Sequence, residues 1–357
     1  MSIRKRQEKN RNNVRKGYRR NERKMDENTV LPLINSTFEP GHALEKAESF
    51  KDKNFRDIAL AELYYFSGEA QKCSDLVEIY LMSPKLELQL SACMLYVYSN
   101  LTLGKACASR RGLDTIQECV KKEFASPTSK EHQAYCVFAG YMGAVLLHLP
   151  TDGLPDMKNY IADLPHGLRV FASYVMSHDF YLQGEYGKAL GTCNTTLIFC
   201  DGTYPISMIY LYCMVAMCEI SLKHQKEAQE ALLTAWHMAA KDELLEPFIE
   251  LHGLLQGLLE STVRKENPGL YKQLSEAVIA FSRGWMAVHN PNSDRSVTDA
   301  LTTMEFSIAM LACRNWSNQE IADHLGISLN TVKHYLTDIF DKLHVRKRDE
   351  LRDFVLK

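Results

Sequence analysis

From residue 28 to residue 287 the apolar side chains recur at helical spacing, while strand-like alternation is rare and no alternating strand-and-helix rhythm appears. That pattern predicts an all-α fold. Pro84, Pro127, Pro150, Pro155, Pro165, Pro205 and Pro247 punctuate it, near helix ends where a missing N–H is tolerated. Apolar residues make up 46% of the 357, enough for a sizeable core, yet no run is long enough to cross a bilayer.

The helical stretch repeats itself. Tyr64 to Cys73 aligns with Phe180 to Ala189: an aromatic helix end, a glycine turn at Gly68 or Gly184, and a small residue five positions later. Glu219 to Ala228 is a third copy, with Lys223 where glycine is expected. Gly68 and Gly184 are 116 residues apart, close to three units of ~39. Tyr98–Cys107 and Ala139–Leu149 fall roughly where the middle units belong, but match poorly. Glycine permits the tight turn, the small residue lets paired helices approach, and pairs that cannot bury their faces alone stack into a solenoid. The pattern resembles the tetratricopeptide repeat over roughly residues 50–260; the alternative is an irregular helical bundle. Tyr64, Tyr65, Phe180, Tyr181 and Tyr186, near the turns, are either core or ligand contacts.

Charge is unevenly spread. The net is −2, but residues 1–24 carry eleven Lys/Arg against two Glu, residues 301–357 balance at eight of each sign, and residues 25–300 hold −11. Residues 1–27 have almost no large apolar side chains and read as a disordered basic tail. It is a solubilising segment, a phosphate-attracting arm, or a consequence of a start at Met1 rather than Met25. Its charge from Arg4 onward does not suit a secretory signal. The ten cysteines form no C-x-x-C pair and sit among apolar neighbours, which predicts reduced, buried packing residues in a cytoplasmic protein.

Residues 288–300 are polar and rich in turn formers, a linker between a helical domain at 28–287 and a last domain at 301–357. Capping signals place helices there: Thr302-x-x-Glu305 and Ser317-x-x-Glu320 are capping boxes, Ser328 is a third N-cap, and Gly326 sits where a helix must stop. A last helix is expected from about Arg348 to Val355. Ile321, Ala322 and Leu325 form one face of a short helix; Val332, Leu336, Ile339, Phe340 and Leu343 form one face of a longer one over about 329–343. A short helix, a tight turn and a longer helix with a polar free face make a helix-turn-helix, whose second helix fits the major groove.

Leu301-Thr302-Thr303-Met304-Glu305, Leu311-Ala312, Ser317 to Ala322, Leu325 to Ser328, Thr331 to His334 and Lys342-Leu343-x-Val345 resemble the LuxR-type helix-turn-helix. The resemblance implies a four-helix domain, bacterial, whose third helix reads DNA and whose fourth commonly mediates dimerisation. It puts Lys333 and His334 in the groove. Ser328, Asn330, Thr331 and Thr337 share or cap that free face, Asn318 and Gln319 open the supporting helix toward a phosphate, and Lys342, Arg346, Lys347 and Arg348 reach for the backbone. Leu351, Phe354 and Val355 pack on the domain or join a twofold partner. Met304 and Phe306 depart from the pattern, standing where arginine is usual, and Thr337 where a basic residue often stands. The domain's neutrality predicts modest non-specific affinity for DNA.

No phosphate-cradling loop, nucleophile elbow or metal-ligand spacing occurs. The expectation is therefore a one-component, non-enzymatic transcriptional regulator without cofactor or metal. Its partners are double-stranded DNA as a homodimer, RNA polymerase, and a small-molecule or protein effector on the concave face of the repeats, with no membrane. The alternative is an interaction scaffold whose helix-turn-helix serves association.

Overall fold

The computed structural model describes residues 28–149, 151, 153–289 and 301–351, and every regular element among them is helical. The expected basic tail, residues 290–300 of the expected linker, Phe354 and Val355 lie outside the described residues. A short helix α1 (Ala43–Glu48) leads into antiparallel pairs: α2 (Lys53–Phe66) with α3 (Ala70–Val77), and α4 (Leu86–Thr102) with α5 (Ala106–Ala125). After α6 (Lys130–Leu146) come α7 (His166–Leu182) with α8 (Tyr186–Phe199), and α9 (Pro205–Ser221) with α10 (Gln225–Ala239).

One backbone turn joins each pair. The N–H of a left-handed residue donates to the carbonyl three back, and the next N–H to the carbonyl five before it: Gly68 to Tyr65 and Glu69 to Tyr64, Gly104 to Leu101 and Lys105 to Asn100, Gly184 to Tyr181 and Glu185 to Phe180. Two stretches without glycine at this place use it too. His148 and Lys223 adopt φ +52° and +65° and make the same two bonds. The turns thus recur at 68, 104, 148, 184 and 223. Five residues on, Cys73, Ser109, Ala189 and Ala228 are all fully buried where the second helix crosses the first. The unit after His148 departs: Gly153 stands at that place, and two 3₁₀ turns (Met157–Asn159 and Ile161–Asp163) replace the second helix.

The inner face of these units, expected from the sequence to receive an effector, is filled along residues 29–36 by the chain's own leading segment, all of it buried. Leu31 N–H donates to Ser91 Oγ (2.9 Å) on α4, and Leu33 and Ile34 N–H donate to the two oxygens of Glu62 (2.8 and 2.9 Å) on α2. The Thr29 hydroxyl lies 3.0 Å from that of Tyr135 on α6, and Leu168 N–H of α7 donates to Asn35 Oδ1 (3.1 Å). A segment without regular structure can be buried here because these side chains satisfy its backbone. Burial pushes the Glu62 carboxyl up to about 8 against the two N–H donors, which favour the charged form. Glu62→Gln places an NH₂ against one of those donors. It is expected to lower unfolding free energy by about 1–3 kcal/mol in urea titration, and to speed proteolysis within residues 29–36.

Beyond α10, short helices α11 (Glu246–Glu250), α12 (Leu258–Ser261) and α13 (Val263–Glu266) precede α14 (Pro268–His289), which packs on α4, α5 and α11 and runs two residues into the expected linker. The last domain follows: α15 (Thr303–Cys313), α16 (Asn318–Leu325), α17 (Leu329–Leu343) and a 3₁₀ turn, Arg348–Leu351, where a fourth helix was expected to begin. Eight cysteines are buried as expected, whereas Cys107 is exposed and Cys200 half-buried, and none of the ten is in a disulfide. No helix among the described residues is long and apolar enough to cross a membrane.

Candidate nucleic-acid interface

The capping residues build the last domain. Thr302 and Glu305 close a reciprocal capping box on α15, and Ser317 and Glu320 close another on α16. Gly326 ends α16 in the left-handed conformation (φ +66°), and Ser328 Oγ accepts the Thr331 N–H to open α17. Ile321, Ala322 and Leu325 of α16 and Val332, Leu336, Ile339 and Leu343 of α17 are buried together, and Phe340 is half-buried. With its apolar stripe spent on the core, α17 turns the opposite side outward: Asn330, Lys333, His334 and Thr337 are exposed and Thr331 is half-buried. The Thr337 hydroxyl donates to the Lys333 carbonyl (3.0 Å), and the Thr331 and Ser328 hydroxyls lie 2.7 Å apart. Six of the expected contact residues therefore stand at or beside one polar rod about four turns long.

The others are placed differently. Lys342 pairs with both oxygens of Glu305 (2.7 Å each), which ties the end of α17 to the start of α15 rather than reaching outward. Lys342, with the Thr302 N–H, holds the Glu305 carboxyl below its ordinary value although burial alone would raise it. Arg348 turns inward, donating to the carbonyls of Ala312 and Trp316 and to Asn318 Oδ1, so a backbone contact is not its role here and Asn318 is engaged within the domain. Gln319 is exposed and bonds Asp323 (2.8 Å); Arg346 and Lys347 are exposed. Leu351 is fully buried against the domain, which leaves it no surface for a twofold contact.

The sequence reading missed a second face. Met304 is half-buried, and Phe306 presses on the helical domain so closely that a Cβ at Gly253 would lie 2.7 Å from its ring. Arg314 Nη1 donates to the hydroxyls of Tyr181 (2.7 Å) and Ser221 (2.8 Å), with its guanidinium 5.4 Å from the Tyr181 ring centre. Lys223, in the left-handed turn, pairs with Glu320 (2.8 Å) and lies over Trp316 (5.6 Å). That bond first, then the Ser317 N–H, lowers the exposed Glu320 carboxyl to about 2. His324 Nε2–H donates to the Gln256 carbonyl (2.9 Å). The apolar Phe306, where the resemblance implies an arginine, was the available sequence signal of this contact.

At Gly257 (φ +80°) a Cβ would sit 2.5 Å from Leu325 Cδ2. Gly257→Ala combines backbone strain with a clash, so it is expected to weaken the docking of α16 by about 2 kcal/mol. Faster amide exchange over residues 318–325, with that of 332–343 unchanged, checks it.

A short capped helix, a left-handed glycine turn and a longer helix with an unobstructed polar face define a helix-turn-helix domain. Residues 299–355 match the family described as "Bacterial regulatory proteins, luxR family", so the C-terminal domain is a LuxR-family helix-turn-helix domain. The chain is similar to a probable transcriptional regulatory protein, SgaR, of Hyphomicrobium methylovorum: 35% identical over 78 residues, 21% of this chain and 37% of the relative. It is also similar to the oxygen regulatory protein NreC of Staphylococcus carnosus (strain TM300): 32% over 74 residues, 20% of this chain and 34% of the relative. The chain thus spans little more than a third of the length of these relatives. No solved structure matches it.

Proposed function

We propose that the chain is a one-component DNA-binding transcriptional regulator. In this reading α17 enters the major groove, and residues 28–287, a tetratricopeptide-like array, sense a ligand or protein partner. One observation carries it: Lys333, His334, Asn330 and Thr337 face solvent while the rest of the domain is packed and docked through α15 and α16. Docking therefore leaves the reading face clear, and the effector acts on the orientation of the domain rather than on exposure of its contacts. Bound to DNA as a homodimer, two such helices would address half-sites roughly 34 Å apart. A cytoplasmic location, and contact with RNA polymerase from the bound dimer, belong to the same proposal.

The domain's neutral charge, with Lys342 and Arg348 occupied internally, favours the second reading, an association scaffold. Electrophoretic retardation of promoter-derived duplexes by the full chain at two salt concentrations separates the two. The regulator retains a subset of duplexes at 150 mM salt with a shallow salt dependence, whereas a scaffold retains none at either concentration.

A further inference from the structure

The helix-turn-helix domain is poor in outward cations. Arg314, Lys342 and Arg348 are engaged with protein partners, which leaves Lys333, Arg346 and Lys347 facing solvent among its described residues. The helical domain docked beside it is acidic, part of a stretch that holds −11 over residues 25–300. One lysine of that acidic domain nevertheless stands against the helix-turn-helix. Lys223, in the turn between α9 and α10, places its ammonium 2.8 Å from Glu320 in the first turn of α16 and 5.6 Å from the Trp316 ring centre.

We propose that Lys223 is a DNA-backbone contact supplied by the sensor domain, so that the docked arrangement is the one that holds duplex DNA. The inference rests on the regulator reading above and extends its interface onto the helical domain.

Placement comes first. In a helix-turn-helix the second helix lies in the major groove while the first crosses the sugar-phosphate backbone, so a cation beside the first turn of α16 stands where phosphates pass. Gln319, next to Glu320, is exposed on that turn. The ammonium is also held in position. Arg314 donates to Ser221 Oγ (2.8 Å) two residues before Lys223, and the left-handed turn is closed by the Lys223 N–H to the Ile220 carbonyl and the His224 N–H to that of Glu219. It remains accessible: the Lys223 and Glu320 side chains are 51% and 41% exposed, and an ammonium has three donors, of which Glu320 takes one. The nearby His224 and Lys226 turn instead to Glu219 (2.7 Å) and Glu230 (3.7 Å) of their own domain.

The pair with Glu320 serves the same end. A carboxylate on the backbone-crossing helix repels a polyanion, and Lys223 neutralises it. The contact also couples the domains. DNA that meets Lys223 favours docking, and whatever undocks the helix-turn-helix withdraws a phosphate contact by the same factor.

Fluorescence anisotropy of the full chain on a duplex it selects, between about 50 and 200 mM salt, tests the contact. Lys223→Gln is expected to weaken binding by about three- to fivefold and to flatten the salt slope by about one. Glu320→Gln keeps the capping box, which glutamine also closes, and removes a negative charge. It is expected to strengthen binding or leave it unchanged. A lysine that only clasped the domains would make the two variants alike, since each breaks the same pair. Unchanged affinity and slope in Lys223→Gln, or a shift in the same direction by both variants, overturns the inference. On the unaltered chain, duplex is expected to shield Lys223 from acetylation while Lys53 on α2, which is 72% exposed, stays reactive. Equal acetylation of Lys223 with and without duplex overturns it as well. A chain that retains duplex with no part for Lys223 overturns this inference alone, and one that retains no duplex overturns the regulator reading with it.

Discussion

Replacing Lys333 and His334 together by alanine is expected to lower affinity for a duplex selected by the unaltered chain by about 100-fold or more, at ~1–3 kcal/mol for each base-edge contact removed. Both residues are exposed on α17, so alanine forfeits little burial there, and alanine is the better helix former. The melting temperature should therefore stay within about 2 °C, so that loss of binding cannot be ascribed to loss of fold. Lys333→Ala alone is expected to flatten the salt dependence by about one unit of slope if it meets a phosphate, and to relax sequence preference if it meets a base. Lys342→Ala is the internal contrast. Its ammonium is held by Glu305, so the expected effect is a small loss of stability from a half-exposed pair, with DNA affinity nearly unchanged. Fluorescence anisotropy on labelled duplexes with parallel thermal melts reads all three. Retained affinity in the double variant would remove α17 as the reading element.

Gly167→Ala is expected to be among the most destabilising single methyl additions in the chain. A Cβ there would lie 2.6 Å from Asn35 Cα and O and 2.7 Å from Asn35 C, backbone atoms that cannot swing aside as a side-chain terminus can. The first turn of α7 or the leading segment must shift, endangering the Leu168 N–H bond to Asn35 Oδ1 and the buried run from Thr29 to Ser36. Overpacking of this kind costs about 3 kcal/mol. Gly191→Ala should do the opposite. Gly191 is mid-helix in α8, exposed, with nothing near its absent Cβ, so the same methyl should add roughly 0.5–1 kcal/mol through helix propensity. Urea unfolding of both variants beside the parent checks the sign as well as the size. Equal effects would mean that residues 29–36 are not seated against α7.

The site was legible where its cause is local. A capping box needs two side chains three residues apart, and a polar outward stripe is what remains once the apolar spacing of α17 is accounted for, so the free side of the helix could be read from the residues, while the resemblance singled out Lys333 and His334 on it. Phe306 could be flagged as out of place but not explained, because its partner is Gly253, on a different domain. The same division runs through the repeats. The glycine turns at 68 and 184 advertise themselves, whereas His148 and Lys223 adopt the identical turn without the glycine that would mark it. Arg348 differs for a related reason: a basic run looks like surface until the fold supplies the carbonyls of Ala312 and Trp316, whereas Leu351 packs on the domain, the first of its two expected places.

What the order of residues determined on its own was the helical class, the repeat and the outward side of α17, because periods of 3.6 residues and caps three apart are properties of one helix at a time. What only the tertiary structure decided was that residues 29–36 fill the inside of the array, that Glu250 accepts the hydroxyls of Tyr65 and Tyr210 from two other helices, and that Arg314 and Lys223 clasp the two domains. Those arrangements join positions tens to more than a hundred residues apart, and close approach in space leaves no periodic trace along a chain.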